Sequence, residues 1–223
     1  MNYDWQPLLL TFQLALIVTL ILLVIGIPIA YWIAFSNNRF KYVFETLVSM
    51  PLVLPPTVIG FYLLIAFSPQ YAMGHFLESA LGLKVVFTFT GLVIASVLFS
   101  LPFMVNPIKA GFQNFPTALI EASYCLGKGS WETLWRVILP NIKPALLTGV
   151  VMAFAHTIGE FGVVLMIGGN IPGRTQLASI AIYNEVEALN YQTAGVYALV
   201  LVVVSFIVLF LFYYLNRRVL RIF

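Results

Sequence analysis

The chain has 223 residues, of which 61% are hydrophobic and 9% charged, against about a quarter charged in an ordinary soluble domain. That makes it an integral membrane protein with room for roughly five or six spans of about twenty residues each, arranged as a single domain over residues 1–223. The net charge of +3 does not indicate nucleic-acid binding, because the eleven Lys and Arg residues are scattered through short loops rather than gathered into a stripe. Cys125 is the single cysteine, so there is no intrachain disulfide and no redox role is assigned. The N-terminal MNYDWQP has an acid and no Lys or Arg, unlike the start of a signal peptide, so the first apolar segment is expected to stay in the protein.

The first span is predicted over Leu8–Phe35, a run with no charged residue that is long enough to cross a bilayer even when tilted. The second apolar block runs from Val43 to Phe67, but SMPLVLPPTVIG within it holds Pro51, Pro55 and Pro56. Each proline removes a backbone donor and crowds the preceding turn, so a break is expected. At membrane depth such a break must face protein or a water-filled cavity. A third span is predicted over Val85–Ile108 with a kink at Pro102, a fourth over Pro144–Ile167 and a fifth over Thr193–Leu215. Nine of the eleven basic residues, Arg39, Lys41, Lys109, Lys128, Arg136, Lys143, Arg217, Arg218 and Arg221, fall on one side of this arrangement. Only Lys84 and Arg174 fall on the other, which places the first side in the cytoplasm, the N-terminus outside and the C-terminus inside.

Between spans three and four lies EASYCLGKGSWETLWRVILP, Glu121–Pro140. Pro116 suits the first position of a helix running to Leu126, and Gly127 suits its end, where a positive φ is cheap. Ser130 is then expected to cap a second short helix with Glu132 in its first turn. Trp131, Leu134, Trp135 and Ile138 fall on one helical face, Glu132 and Arg136 pair at i, i+4, and Pro140 helps to end the helix. The result is a cytoplasmic helix-turn-helix. Periodicity alone favours a hairpin lying on the bilayer with its tryptophans as interface anchors. The alternative is a docking element whose aromatic face is held by the chain's own helices while Glu121–Gly129 points outward.

The spacing Glu121, Ala122, Ser123, Gly127, Val137, Leu139, Pro140 resembles the cytoplasmic EAA motif of permease subunits of ATP-binding-cassette importers. It departs from that motif at Ser123 and Val137, both mild changes. PLVLPPTVIGFYLL (Pro51–Leu64) and GEFGVVLMIGGNIPGRTQ (Gly159–Gln176) sharpen the match toward the molybdate/tungstate permease family, with sulfate permeases as close relatives that usually carry an additional N-terminal span. The resemblance implies a homodimer in the prokaryotic cytoplasmic membrane, two cytoplasmic ATPase subunits that bind ATP and Mg, and an extracytoplasmic binding protein. No cofactor is expected in this chain itself. The EAA segment would be the coupling helix, seated in a groove on each ATPase. No G-x-x-x-x-G-K-[ST] phosphate loop occurs in the sequence, as expected of a transport subunit rather than an enzyme.

Pro55, Pro56, Thr57 and Gly60 read either as close helix packing or, preferably, as pore lining, since three prolines in six positions are hard to accommodate against lipid. His156 and Glu160 share a helical face, but the pair lacks a third ligand for metal. Glu160, next to Gly159, reads equally as a hydrogen-bonded interior carboxyl or as part of a gate on the translocation path. Ser96, Ser100 and Asn106 can join that path or bond between helices, and Ser100 is carried with Gly159 and Glu160 as a candidate pathway residue. Arg174 is an outer loop charge. A self-contained secondary transporter would be expected to show inverted repeats or several intramembrane charges, and neither is found. An intramembrane hydrolase lacks a complete nucleophile or metal set.

Overall fold

The computed structural model describes residues 3–220, with side chains through Tyr214. The described residues are helical with connecting turns: α1 (Gln6–Phe35), α2 (Lys41–Ser49) and a 3-10 turn (Met50–Leu52), α3 (Pro56–Phe67), α4 (Ala72–Leu81), α5 (Phe89–Gln113), α6 (Thr117–Cys125), α7 (Ser130–Thr133), a π-helical stretch (Leu134–Ile138), α8 (Leu139–Asn141), α9 (Lys143–Ile158), α10 (Gly162–Gly168), α11 (Ala178–Glu187) and α12 (Tyr191–Leu220). Three helices are long and apolar enough to cross a membrane alone: Gln6–Phe35, Phe89–Gln113 and Tyr191–Tyr214. Two bent pairs bring the number of spans to as many as five. Lys41–Leu52 meets Pro56–Phe67 at 112°, and Ser130–Asn141 meets Lys143–Ile158 at 75°.

The bundle closes around Met104, which is fully buried. A Cβ at Gly26 would lie 2.8 Å from its Cγ, and one at Gly149 would lie 3.0 Å from its carbonyl oxygen. Gly149 lets α9 approach the α5 backbone and Gly26 leaves room for the Met104 side chain against α1, the close packing by which helices associate where lipid supplies no hydrophobic drive. Near the N-terminal end of α1, polar contacts tie the chain together. Ala178 N donates to Thr11 Oγ1 at 2.8 Å, Gln6 Nε2 donates to the Gly173 carbonyl at 3.1 Å, and the Tyr197 hydroxyl donates to the Asp4 carbonyl at 2.7 Å. At the opposite end Lys109 of α5 pairs with Glu45 of α2. Between Ala198 and Tyr214 most of α12 is exposed.

Several sequence expectations are corrected. The predicted fourth span is not one helix: α9 stops at Ile158, and α10 begins only at Gly162. At 1.5 Å per residue α9 alone contributes about 24 Å of helix, short of a core of about 30 Å. The third span starts at Phe89, later than Val85, because the Thr88 hydroxyl caps it by accepting from Gly91 N at 3.1 Å. Pro102 and Pro107 both lie inside α5 without interrupting it. The expected break near Pro51–Pro56 is present, with Pro56 as the first residue of α3. The tail arginines 217, 218 and 221 lie outside the residues whose side chains are described.

Candidate functional site

The two stretches singled out from sequence meet in space. α3 packs against α10, so the break before Pro56 and the break at Gly159–Phe161 stand side by side. Their contact depends on missing side chains. A Cβ at Gly162 would lie 2.8 Å from Pro56 Cβ and 3.3 Å from Thr57 N, and one at Gly60 would lie 2.8 Å from Met166 Cβ. Gly60 and Gly162 are buried, while Pro55, Pro56, Thr57 and Gly159 are exposed at the same junction. Overpacking of this kind costs about 1–3 kcal/mol. Gly162→Ala is therefore expected to lower the thermal unfolding midpoint in detergent, and by more than Gly129→Ala, whose Cβ meets nothing within 4 Å.

Glu160 sits at the second break and is only 3% exposed. Its backbone carbonyl accepts from Ser179 Oγ at 2.7 Å. Among the described residues, the buried side-chain polar atoms without a hydrogen-bond partner are Thr19 Oγ1, Ser96 Oγ and both Glu160 carboxyl oxygens. Ser96 is the polar side chain that reaches the carboxyl, but without normal hydrogen-bond geometry. Unpaired buried oxygens on one side chain are costly, which marks a group kept for something other than stability.

Ser100 and His156 have a different setting. Ser100 Oγ lies 2.9 Å from His156 Nδ1 and 3.1 Å from Thr157 Oγ1, and the imidazole stacks on Phe103 with 3.9 Å between ring centres. Thr157 in turn donates to the Ala153 carbonyl at 2.8 Å. Ser100, fully buried, thus bonds α5 to α9. Among the described residues no group of three or more His, Cys, Asp or Glu is disposed to hold a metal ion. The role of Ser179 was not legible in sequence, since it lies in no motif, and within GEFGVVLMIGGNIPGRTQ nothing marks Met166 as the residue that Gly60 meets.

The hairpin between α5 and α9 divides the seven motif residues into two sets. Glu121, Ala122 and Gly127 are exposed, whereas Ser123 and Leu139 are buried and Val137 and Pro140 half-buried. Ser123 Oγ lies 2.9 Å from Thr133 Oγ1 and so joins the two arms. Gly127 has φ +80°. Its N–H donates to the Tyr124 carbonyl and that of Lys128 to the Ser123 carbonyl, the paired bonds of a Schellman helix end. Glu132 takes both Lys128, at 2.7 Å, and Arg136, at 3.2 Å. The hydrogen bond and charge of Lys128 hold its carboxyl below the usual range.

Three details of the hairpin differ from expectation. Pro116 caps α6 from outside and Thr117 is its first residue, while Gly129 rather than Ser130 occupies the cap position of α7. Pro140 does not end the second arm. Leu139 N instead reaches back five residues to the Leu134 carbonyl, a π-type widening that makes room for the proline ring, and the arm ends at Asn141. Of the apolar face, Leu134 and Ile138 are buried, but Trp131 and Trp135 remain 73% and 51% exposed, edge to face at 5.7 Å.

The chain has relatives among known proteins. The sequence matches the profile of the binding-protein-dependent transport system inner membrane component over residues 26–221. The chain belongs to that family. This permease is 44% identical over 217 residues to the molybdenum transport system permease protein ModB of Azotobacter vinelandii, with 97% of this chain and 96% of that one covered. It is 35% identical over 200 residues to a probable sulfate transport system permease protein cysT of Chlorokybus atmophyticus, covering 90% of this chain and 70% of that protein. Among solved structures, the permease fold superposes on the inward-facing MetNI methionine transporter with TM-score 0.73 at 16% identity, covering 96% and 94% of the two chains. It superposes on an alginate importer with TM-score 0.74 at 17% identity, covering 94% and 79%. These two likenesses establish the shared fold. The chain is accordingly a permease subunit of an ABC importer, whose homologues are transport subunits rather than enzymes.

Proposed function

We propose that this permease carries molybdate or tungstate inward across the prokaryotic cytoplasmic membrane. The observation that carries the reading is the 44% identity to the Azotobacter molybdenum permease, spread over 97% of this chain and 96% of that one. Sulfate remains the second reading, favoured by the 35% identity to the Chlorokybus protein. On this proposal residues 1–223 form one permease domain that works as a homodimer, with two cytoplasmic ATPase subunits binding ATP and Mg and an outer binding protein delivering the anion. Glu121, Ala122 and Gly127 meet the ATPase, Ser123 joins the two arms of the hairpin, and Val137, Leu139 and Pro140 fasten it to the bundle. ATP-driven closure of the ATPases would draw the paired hairpins together and rock the spans between inward-open and outward-open arrangements. The gate lies where Pro55, Pro56, Thr57 and Gly60 meet Gly159 and Glu160, with Ser100 fixing α9, the helix that leads into Gly159.

Uptake of labelled molybdate, tungstate and sulfate by proteoliposomes holding the full complex tests the substrate. Molybdate and tungstate are expected to enter and compete with one another, and sulfate uptake that outruns both would transfer the assignment to sulfate. Topology is tested separately, in a Cys125→Ser background. Gly129→Cys is expected to label only from the cytoplasm and Ala80→Cys only from outside, both positions being exposed. The opposite labelling pattern would invert the proposed orientation.

A further inference from the structure

Trp131 and Trp135 stay exposed on an arm whose Leu134 and Ile138 are buried. Beside them a groove of 690 Å³ runs between the hairpin and α1, floored by Leu23, Val24, Ile27 and Pro28 and reaching Tyr31 and Ser130 at its rim. Past Trp135 it continues, sharing Leu23 and Ile27, into a recess of 530 Å³ along α9 lined by Lys143, Leu146 and Val150. Its polarity follows depth. Tyr31 is one turn from the end of α1 and Lys143 is the first residue of α9, so both stand at the membrane surface from which the hairpin projects. Leu23 and Val150 lie eight and seven residues further in, roughly 12 and 10 Å of helix. That depth falls within the half-thickness, about 15 Å, of a bilayer's hydrocarbon core.

We propose that this groove binds an anionic phospholipid, with an acyl chain along Leu23–Pro28 beside the two tryptophans and the phosphate facing Lys143. The proposal rests on the membrane placement given above and not on the transported anion. A floor without polar groups suits an acyl chain, and tryptophan rings belong where one edge is apolar and the other wet. The volume lies in the range, about 300–1,000 Å³, of sites for small molecules. Lys143 is exposed and has no ion pair among the described residues, so it is free to meet a phosphate. A second copy of the chain is the poorer occupant. Its long exposed helix, α12, carries no Asp or Glu between Tyr191 and Tyr214 to answer that lysine.

The test uses the full-length chain in nanodiscs, with Trp5→Phe and Trp32→Phe leaving Trp131 and Trp135 as the only two of the four tryptophans. Brominated phosphatidylglycerol is expected to quench their fluorescence at least about twofold more than brominated phosphatidylcholine at equal mole fraction, because an anionic lipid is drawn to a surface lysine. Lys143→Gln, an exposed change that leaves the fold intact, is expected to make the two lipids equal. Equal quenching before that substitution would identify ordinary surrounding lipid and overturn the proposal. Quenching by neither lipid would mean that protein covers the groove, and a preference surviving Lys143→Gln would remove the phosphate contact; both outcomes overturn it. Anion uptake is not part of the readout, so failure here is separable from failure of the transport reading.

Discussion

Gly127→Val is expected to insert and dimerise normally but to bind the partner ATPase weakly, or to leave hydrolysis unresponsive to substrate and binding protein. The residue has φ +80° and nothing lies within 4 Å of where its Cβ would stand, so the substitution meets no internal clash. What remains is the left-handed backbone, about 1–2 kcal/mol for a residue with a side chain, too little to unfold a multi-span bundle. The effect should therefore fall on the surface that the turn presents. A misplaced contact at the centre of a small docking surface costs about 2 kcal/mol or more, roughly thirtyfold in affinity. Co-purification of the ATPase and stimulated hydrolysis in matched proteoliposomes measure this. Arg39→Gln, an exposed charge in the loop after α1 and outside the motif, serves as control and should behave like wild type in both assays. Wild-type values for Gly127→Val would remove this turn from coupling and return the hairpin to a purely interfacial role.

Glu160→Gln should alter the ratio of anion transported to ATP hydrolysed while leaving assembly intact. The carboxyl is enclosed with both oxygens unpaired, and the bond from Ser179 is to the backbone, which the substitution keeps. An amide keeps nearly the same shape and cannot ionise, so the thermal midpoint should stay level or rise, since ionising an enclosed, unpaired carboxyl is costly. A change of about 1.4 kcal/mol in the balance between open and closed gates shifts that balance tenfold, which the transport ratio would register. A wild-type ratio with wild-type uptake would make Glu160 a structural carboxyl only. Ser100→Ala separates the two roles in the opposite sense. It removes the bonds to His156 and Thr157 and should lower stability by about 1–3 kcal/mol without changing the ratio.

The sequence by itself determined the membrane class, the three uninterrupted spans, the break before Pro56 and the turn at Gly127. Each rests on a local cause: too few charges to face water over twenty residues, prolines that remove donors, and a glycine that tolerates positive φ. Only the tertiary structure decided that the chain also breaks at Gly159–Phe161, because GEFG holds no proline and the apolar run continues on either side of it. It alone brought that break against Pro56 and Thr57, assigned Ser100 to His156 and Thr157, and left Trp131 and Trp135 uncovered. The reason is physical. In a soluble helix the alternation of apolar and polar residues reports which face is buried, but a span is apolar toward both lipid and neighbouring helices. Its sequence states that it lies in the membrane and says little about what it touches there.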